Sequence, residues 1–209
     1  MISAQESLAR LKAGNARFVE SCRGNDPLAI PARLASPDTA QRPFAIILGC
    51  SDSRVPAELV FDQGFGDLFV IRVAGNIVAP SQVGSVEFAA SQFGTALVVV
   101  MGHSQCGAIR ATYDALTQPS RSLSTNINSI IQRIQPSMEP LLDTDLQHDP
   151  DRLIGHAVRA NVRASANHLR HGSAILEHLI ETNGLVVVGA EYSLETGVVD
   201  FFDGVPEGW

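Results

Sequence analysis

Ala45 to Glu58 reads AIILGCSDSRVPAE, a short aliphatic run that stops at a glycine and turns abruptly polar. Ala45, Ile46, Ile47 and Leu48 have the character of a strand buried on both faces. Beyond Gly49 come Cys50, Asp52 and Arg54, each two residues from the last. Side chains alternate along an extended chain, so residues two apart share a face. If the extended backbone continues past Gly49, a thiol, a carboxylate and a guanidinium stand on one side of a strand end. An open α/β sheet carries its chemistry at the carboxyl ends of its strands.

Working outward, Phe44 to Leu48 is the first predicted strand. Ala57 to Phe61 is a helical turn, broken by Gly64 and Gly66. Leu68 to Val73 (LFVIRV) is a second strand, followed by a turn at Gly75 and Asn76 whose backbone is expected to matter more than its side chains. Val83 to Phe93 is a helix, and Ala96 to Met101 (ALVVVM) is a third strand. Strands without alternation are buried on both faces, as in parallel sheets. His103 and Cys106 follow that strand, and Ala108 to Leu116 is a helix. Asn126 to Ile134 is predicted helical, ending near Pro136. Asp151 to Thr182 is a long helical region broken around Gly172. Leu185 to Gly189 and Gly197 to Phe202 are the fourth and fifth strands. At the N-terminus, Leu8, Leu11 and Phe18 recur at helical spacing from Ser3 to Phe18, with Ser3 or Ser7 as the cap and Gly14 as a weak point. Asn25 to Arg42, with Pro27, Pro31 and Pro37, is expected to be a loop. The pattern predicts one α/β domain over residues 1–209. An N-terminal helical arm and loop occupies 1–43. The α/β core over 44–209 is an open, mostly parallel β-sheet flanked by helices.

Composition narrows the classes. The chain has 209 residues, with 15 Lys and Arg against 22 Asp and Glu, a net charge of −7. A nucleic-acid surface calls for a basic stripe, so that class is disfavoured. Cys22, Cys50 and Cys106 cannot form a paired framework, which points to reduced thiols in the cytoplasm. No secretory signal is expected, and no apolar run approaches the ~20 residues of a membrane span. Cys22 reads as a free thiol in a polar loop. His148, His156, His168, His171 and His178 are expected on the surface, each a candidate proton shuttle that nothing in the sequence singles out.

Cys50-x-Asp52 and His103-x-x-Cys106 bring two thiols, an imidazole and a carboxylate to two strand ends, each beside a glycine. Zinc accepts this mix of sulfur, nitrogen and oxygen in tetrahedral geometry. Soft thiolates favour zinc over magnesium or calcium. Neighbouring strands lie ~4.8 Å apart, so both pairs can reach one point. Simpler readings stand beside this one. A lone cysteine is usually a small core hydrophobe, an Asp–Arg pair is usually an ordinary salt bridge, and two thiols can serve redox chemistry.

CSDSRVPAE, followed by FVIRVAGNIV and GHSQCGA, closely resembles the β-class carbonic anhydrases. The similarity runs from LKAGNARF near the N-terminus to GAEYSLETGVVDFF near the C-terminus. The resemblance implies one Zn2+ per subunit, reversible hydration of carbon dioxide to bicarbonate and a proton, and a homodimer or tetramer. It implies Cys50, His103 and Cys106 as zinc ligands and Asp52 and Arg54 as the catalytic dyad. It also implies substrate contacts at Gln41, Phe69, Phe88 and Gly107. Zinc lowers the pKa of bound water from ~15.7 towards neutrality and so makes a hydroxide nucleophile. Asp52 can orient it, Arg54 keeps Asp52 ionised, and apolar walls suit an apolar substrate.

In part of the family the Asp leaves its Arg to become the fourth zinc ligand, a closed state favoured by bicarbonate in a neighbouring pocket. Arg72 and Tyr192 match two markers of that pocket. The third, a Trp three residues before the first Cys, is Ile47 here. Together with Gln41, this favours an open, water-bound resting site. Two other readings of the same site are hydrolysis of carbon disulfide or carbonyl sulfide, and a structural zinc without catalysis. Zn2+ with two thiolates and neutral His is formally neutral, so its water should be less acidic than the ~7 of a tri-histidine site. Carbon dioxide hydration is therefore expected to rise through the alkaline range in stopped-flow assays, and a flat profile from mildly acidic to alkaline pH would overturn that expectation.

Overall fold

A computed structural model of the chain describes residues 2–24, 41–118 and 123–209. Its five strands are β1 (Ala45–Gly49), β2 (Leu68–Arg72), β3 (Leu97–His103), β4 (Val186–Tyr192) and β5 (Val199–Asp203). They form one sheet in the order β2-β1-β3-β4-β5. The first four pair in parallel, and β5 closes one edge antiparallel to β4. The helices are α1 (Ala4–Gly24), α2 (Ala57–Val60), α3 (Pro80–Phe93), α4 (Gly107–Thr117), α5 (Thr125–Leu142), α6 (Pro150–His171) and α7 (Ala174–Asn183).

The unalternating strands have the expected cause. Ile47, Val99 and Met101 pack with Leu8 and Leu11 of α1 on one face of the sheet. Ile46, Leu48, Val98 and Val100 pack with Val86 of α3 and Val162 and Leu169 of α6 on the other. Fully burying such a side chain contributes about 1.5–3 kcal/mol. A third cluster sits past the strand ends, where Ile109, Ile134, Met138, Leu153 and Ala157 surround Cys50 and Cys106. Among the described residues no helix is long and apolar enough to cross a membrane.

The arm is held by polar contacts as well as packing. Ser3 is its cap: Ser3 Oγ accepts the Glu6 N–H at 3.2 Å, and Glu6 returns a carboxylate to the Ser3 N–H at 2.8 Å. That reciprocal pair is a capping box. Ser7 is instead buried and donates to the Phe44 carbonyl at 3.0 Å. Asn15, also buried, donates to the carbonyls of Val60 and Gly197 and accepts the Val199 N–H. Gly14, a weakness by helix propensity, is required by packing. A Cβ there would stand 1.8 Å from the Phe61 carbonyl oxygen.

Several boundaries move. α5 does not end near Pro136 but continues through Pro136 and Pro140 to Leu142. An interior proline costs about 3 kcal/mol, but Ile131, Ile134 and Met138 form one buried face that spans Pro136 and offsets it. α1 runs on to Gly24, so Cys22 lies exposed on a helix and not in a loop. α3 begins earlier, with Pro80 at its first turn. β3 extends to include His103, and β5 starts only at Val199, after Gly197 turns the chain at φ 74. Of the loop expected over Asn25 to Arg42, residues 25–40 lie outside the described residues, and Gln41 and Arg42 are exposed. All five surface histidines are exposed. Gly14→Ala is expected to destabilise the chain by about 1–3 kcal/mol, the usual cost of overpacking, read as a lower denaturant midpoint.

Candidate metal centre

β1 and β3 are neighbours in register, with Gly49 opposite Met101. Cys50 leaves the end of β1 and His103 is the last residue of β3. Cys106 caps the N-terminus of α4 with extended backbone. The three are buried, and their ligand atoms lie within 4.8 Å of one another. The two sulfurs are 4.0 Å apart, about twice the ~2.05 Å of a disulfide. Two sulfurs bonded to one tetrahedral zinc at about 2.3 Å stand roughly 3.8 Å apart, so the spacing fits that ion.

The imidazole supplies a second test. His103 Nδ1 lies 2.8 Å from the Ser104 carbonyl, which takes its N–H. Nε2 is buried and has no hydrogen-bond partner. A ring nitrogen left with a free lone pair beside two thiols, its other nitrogen held by a carbonyl, is the arrangement of a metal-ligating histidine. The sulfurs are unequal. Cys50 is pulled down to about 4, chiefly by the hydrogen bond from Cys106 and against its burial, with His103 and the Gly75 N–H assisting. Cys106 is pushed up by its bond to Cys50 and by burial. Burial pulls His103 down, but the Cys50 sulfur, the Ser104 carbonyl and the Asp52 carboxylate together raise it. Two buried thiols this close hold both charges only when a cation neutralises them.

The extended backbone stops at Gly49, and Asp52 and Arg54 lie in a turn. They still form a pair. Asp52 Oδ1 accepts Arg54 Nε at 2.9 Å and the Arg54 N–H at 3.0 Å, and Oδ2 accepts Nη2 at 2.8 Å. These bonds hold the Asp52 carboxyl well below the usual range, against some burial. Asp52 Oδ2 lies 3.8 Å from His103 Nε2. Here Asp52 holds Arg54.

The loop carrying these residues is strapped from outside. Arg72 Nε donates to the Cys50 carbonyl at 3.1 Å, and Arg72 Nη2 donates to the Asp52 carbonyl. Tyr192 is buried, with its ring 6.4 Å from Phe18. β1 and β3 separate its strand from that of Arg72, three spacings or about 14 Å. Ile47, Met101 and Tyr192 belong to one core cluster. Arg72 and Tyr192 thus stand on separate strands, and the Arg72 guanidinium is bonded to the ligand loop.

Gln41, Phe69 and Phe88 are not brought to the centre within one chain. Gln41 precedes β1, whose five residues span about 16 Å, and lines an open groove of about 550 Å3 with Arg10, Phe44 and Phe93. Phe69 pairs with Ile46, three positions before Gly49. Its ring packs 6.2 Å from Phe88 and 6.1 Å from Phe93, and Phe88 is 52% exposed. Gly107 opens α4 beside Cys106, with open space where a Cβ would stand.

Glu195 escaped the sequence reading. It accepts Ser104 Oγ at 2.7 Å and Gln105 Nε2 at 2.6 Å. Gln105 sits at φ 55, so this clamp holds a left-handed turn between two ligands. The bond from Ser104 leads the interactions that hold the Glu195 carboxyl below the usual range. Its only signal was its place in the GAEYSLETG run, far from the cysteines in sequence.

Comparison with known proteins agrees with this geometry. Residues 45–199 match the family profile described as carbonic anhydrase. A carbonic anhydrase of Mycolicibacterium smegmatis is 44% identical over 128 residues, a match spanning 61% of this chain and 61% of that relative. Carbonic anhydrase 2 of Mycobacterium tuberculosis is 34% identical over 187 residues, covering 90% of this chain and 87% of the relative. The crystal structure of a β-carbonic anhydrase from Aspergillus fumigatus superposes with a TM-score of 0.73 at 24% identity, covering 93% and 89% of the two chains, a likeness of fold. The donor set predicts about one zinc per chain after exhaustive dialysis, measured by elemental analysis. Cys106→Ser is expected to lose most of it, and full retention would remove Cys106 from the ligand set.

Proposed function

The chain belongs to the carbonic anhydrases, in their β class, and we propose that it interconverts carbon dioxide and bicarbonate at a zinc ion held by Cys50, His103 and Cys106. The observation that carries this reading is the unpartnered, buried His103 Nε2 facing two sulfurs, with the Asp52–Arg54 pair beside it. Zinc bound there supplies Lewis acidity that brings the pKa of water towards neutrality.

The chain's own groups do the rest. Asp52 stays ionised because Arg54 binds both its oxygens. A carboxylate is an acceptor only. It therefore accepts a hydrogen bond from the attacking oxygen and leaves a lone pair turned to the substrate carbon. Arg72 holds the carbonyls on either side of Ser51 and so keeps Cys50 and Asp52 in fixed relation. Water contributes the oxygen that joins carbon, and its proton leaves to buffer. A purely structural zinc calls for a fourth protein ligand, and Asp52, the carboxylate beside the cluster, is turned to Arg54.

Gln41, Phe69 and Phe88 enter this reading through assembly. Carbon dioxide is apolar and suits aromatic walls with a single donor. These three stand away from their own chain's centre, on an exposed aromatic face. In a homodimer or larger assembly they line the centre of a neighbouring subunit.

The direct test is stopped-flow carbon dioxide hydration by zinc-loaded protein. Asp52→Asn is expected to lower kcat/KM by about 10²-fold through lost orientation, with zinc content unchanged. Wild-type hydration no faster than buffer across alkaline pH would overturn the proposal.

A further inference from the structure

Gly75 and Asn76 carry the backbone through two consecutive left-handed residues, at φ 67 and φ 42. Glycine adopts this freely, whereas asparagine does so uncommonly. A Cβ on Gly75 would stand 2.8 Å from Ile134 Cδ1 and 3.0 Å from Ala108 Cβ, so the turn is tightly enclosed. It delivers one group to the metal centre. The Gly75 N–H donates to Cys50 Sγ at 3.4 Å.

Two polar side chains of α6 grip this turn from behind. Asn161 Nδ2 donates to the Gly75 carbonyl at 2.8 Å, and Ser165 Oγ donates to the Asn76 carbonyl at 3.0 Å. They are four residues apart and so share a helix face. Both are buried, at 2% and 6% exposure. Their buried neighbours on the helix, Ala157, Val158, Val162 and Ala166, are apolar. Packing alone favours apolar residues at such positions, because an amide or hydroxyl is tolerated there only when bonded. Neither side chain is among the ligands or the Asp52–Arg54 pair.

We propose that Asn161 and Ser165 are positioning residues of the metal centre. By holding the Gly75 and Asn76 carbonyls they aim the Gly75 N–H at the Cys50 sulfur and set how strongly that sulfur donates to the ion. An N–H bonded to a thiolate draws electron density from sulfur. The ion then receives less and polarises water more. Partners behind the ligands tune a metal site in this way. The inference rests on the zinc reading above.

Cobalt(II) loaded into the full chain in place of zinc reads the sulfur directly, through thiolate-to-cobalt charge-transfer absorption. Asn161→Ala and Ser165→Ala are each expected to move that band to lower energy, because the sulfur regains density, and to weaken zinc binding by about 10–100-fold in chelator competition, because the ligand loop loses its fixed geometry. Ser165→Thr, which keeps the hydroxyl, restores both. Leu169→Ala, a buried truncation on the same helix, lowers thermal stability but leaves band and affinity in place. The proposal is overturned if the two alanine variants keep the wild-type band and affinity within about twofold, or if Leu169→Ala shifts them equally. If Asn161→Ala does not fold, Ser165→Ala decides alone. A wild type with no charge-transfer band overturns the zinc reading, and this proposal with it.

Discussion

Cys50 and His103 meet because β1 and β3 run parallel and side by side, with Gly49 opposite Met101. Parallel pairing brings two carboxyl ends to the same edge, and each can present a ligand there. It also requires crossover helices, which cover both faces of the sheet. α4 begins at that same edge, so its first turn carries Cys106 back to the other two. A slip of one residue between the strands would move the β3 side chains to the opposite face and break the cluster. The aliphatic packing of Ile46 to Leu48 against Val98 to Met101 excludes that slip.

Electrostatics then decides what the cluster can be. Two unit charges 4 Å apart interact by about 4 kcal/mol at an effective dielectric of 20. A dianionic thiolate pair is therefore unfavourable in a buried site, and a divalent cation removes the penalty. The surrounding cations are placed beside this problem, not in it. Arg54 sits on Asp52, and Arg72 sits on the carbonyls of Cys50 and Asp52. No guanidinium among the described residues takes a sulfur as its hydrogen-bond partner. The Cys50 sulfur meets the neutral Gly75 N–H, which draws less density from it than a guanidinium would.

The other end of the sheet is less complete. Phe69, Phe88 and Phe93 stack on one another beside the edge strand β2, and Phe88 keeps half its surface exposed. Gln41 opens into the neighbouring groove. The cluster of Cys50, His103 and Cys106 is thus sealed within the chain, whereas the aromatic cluster beside β2 is left partly uncovered.

The local pattern determined a good deal. Unalternating strands, glycines at their ends and the pairs Cys50-x-Asp52 and His103-x-x-Cys106 sufficed for a parallel α/β sheet and for two thiols, an imidazole and a carboxylate as a candidate cluster at its strand ends, because strand periodicity and ligand spacing are short-range properties. Gly75 and Asn76 were legible as a turn for the same reason. Long-range bonds were not legible. Glu195 clamps a turn about 90 residues away, and Asn161 and Ser165 grip one 86 and 89 residues away. Nothing local distinguishes a polar residue that reaches a distant carbonyl from one that faces water. Pro136 misled because its cost is local, whereas the buried face that offsets it is tertiary. The stretch from Ala45 to Glu58 by itself named a thiol, a carboxylate and a guanidinium. Only the folded chain decided their partners, since the choice between Arg54 and the metal for Asp52 depends on distances that sequence spacing does not contain.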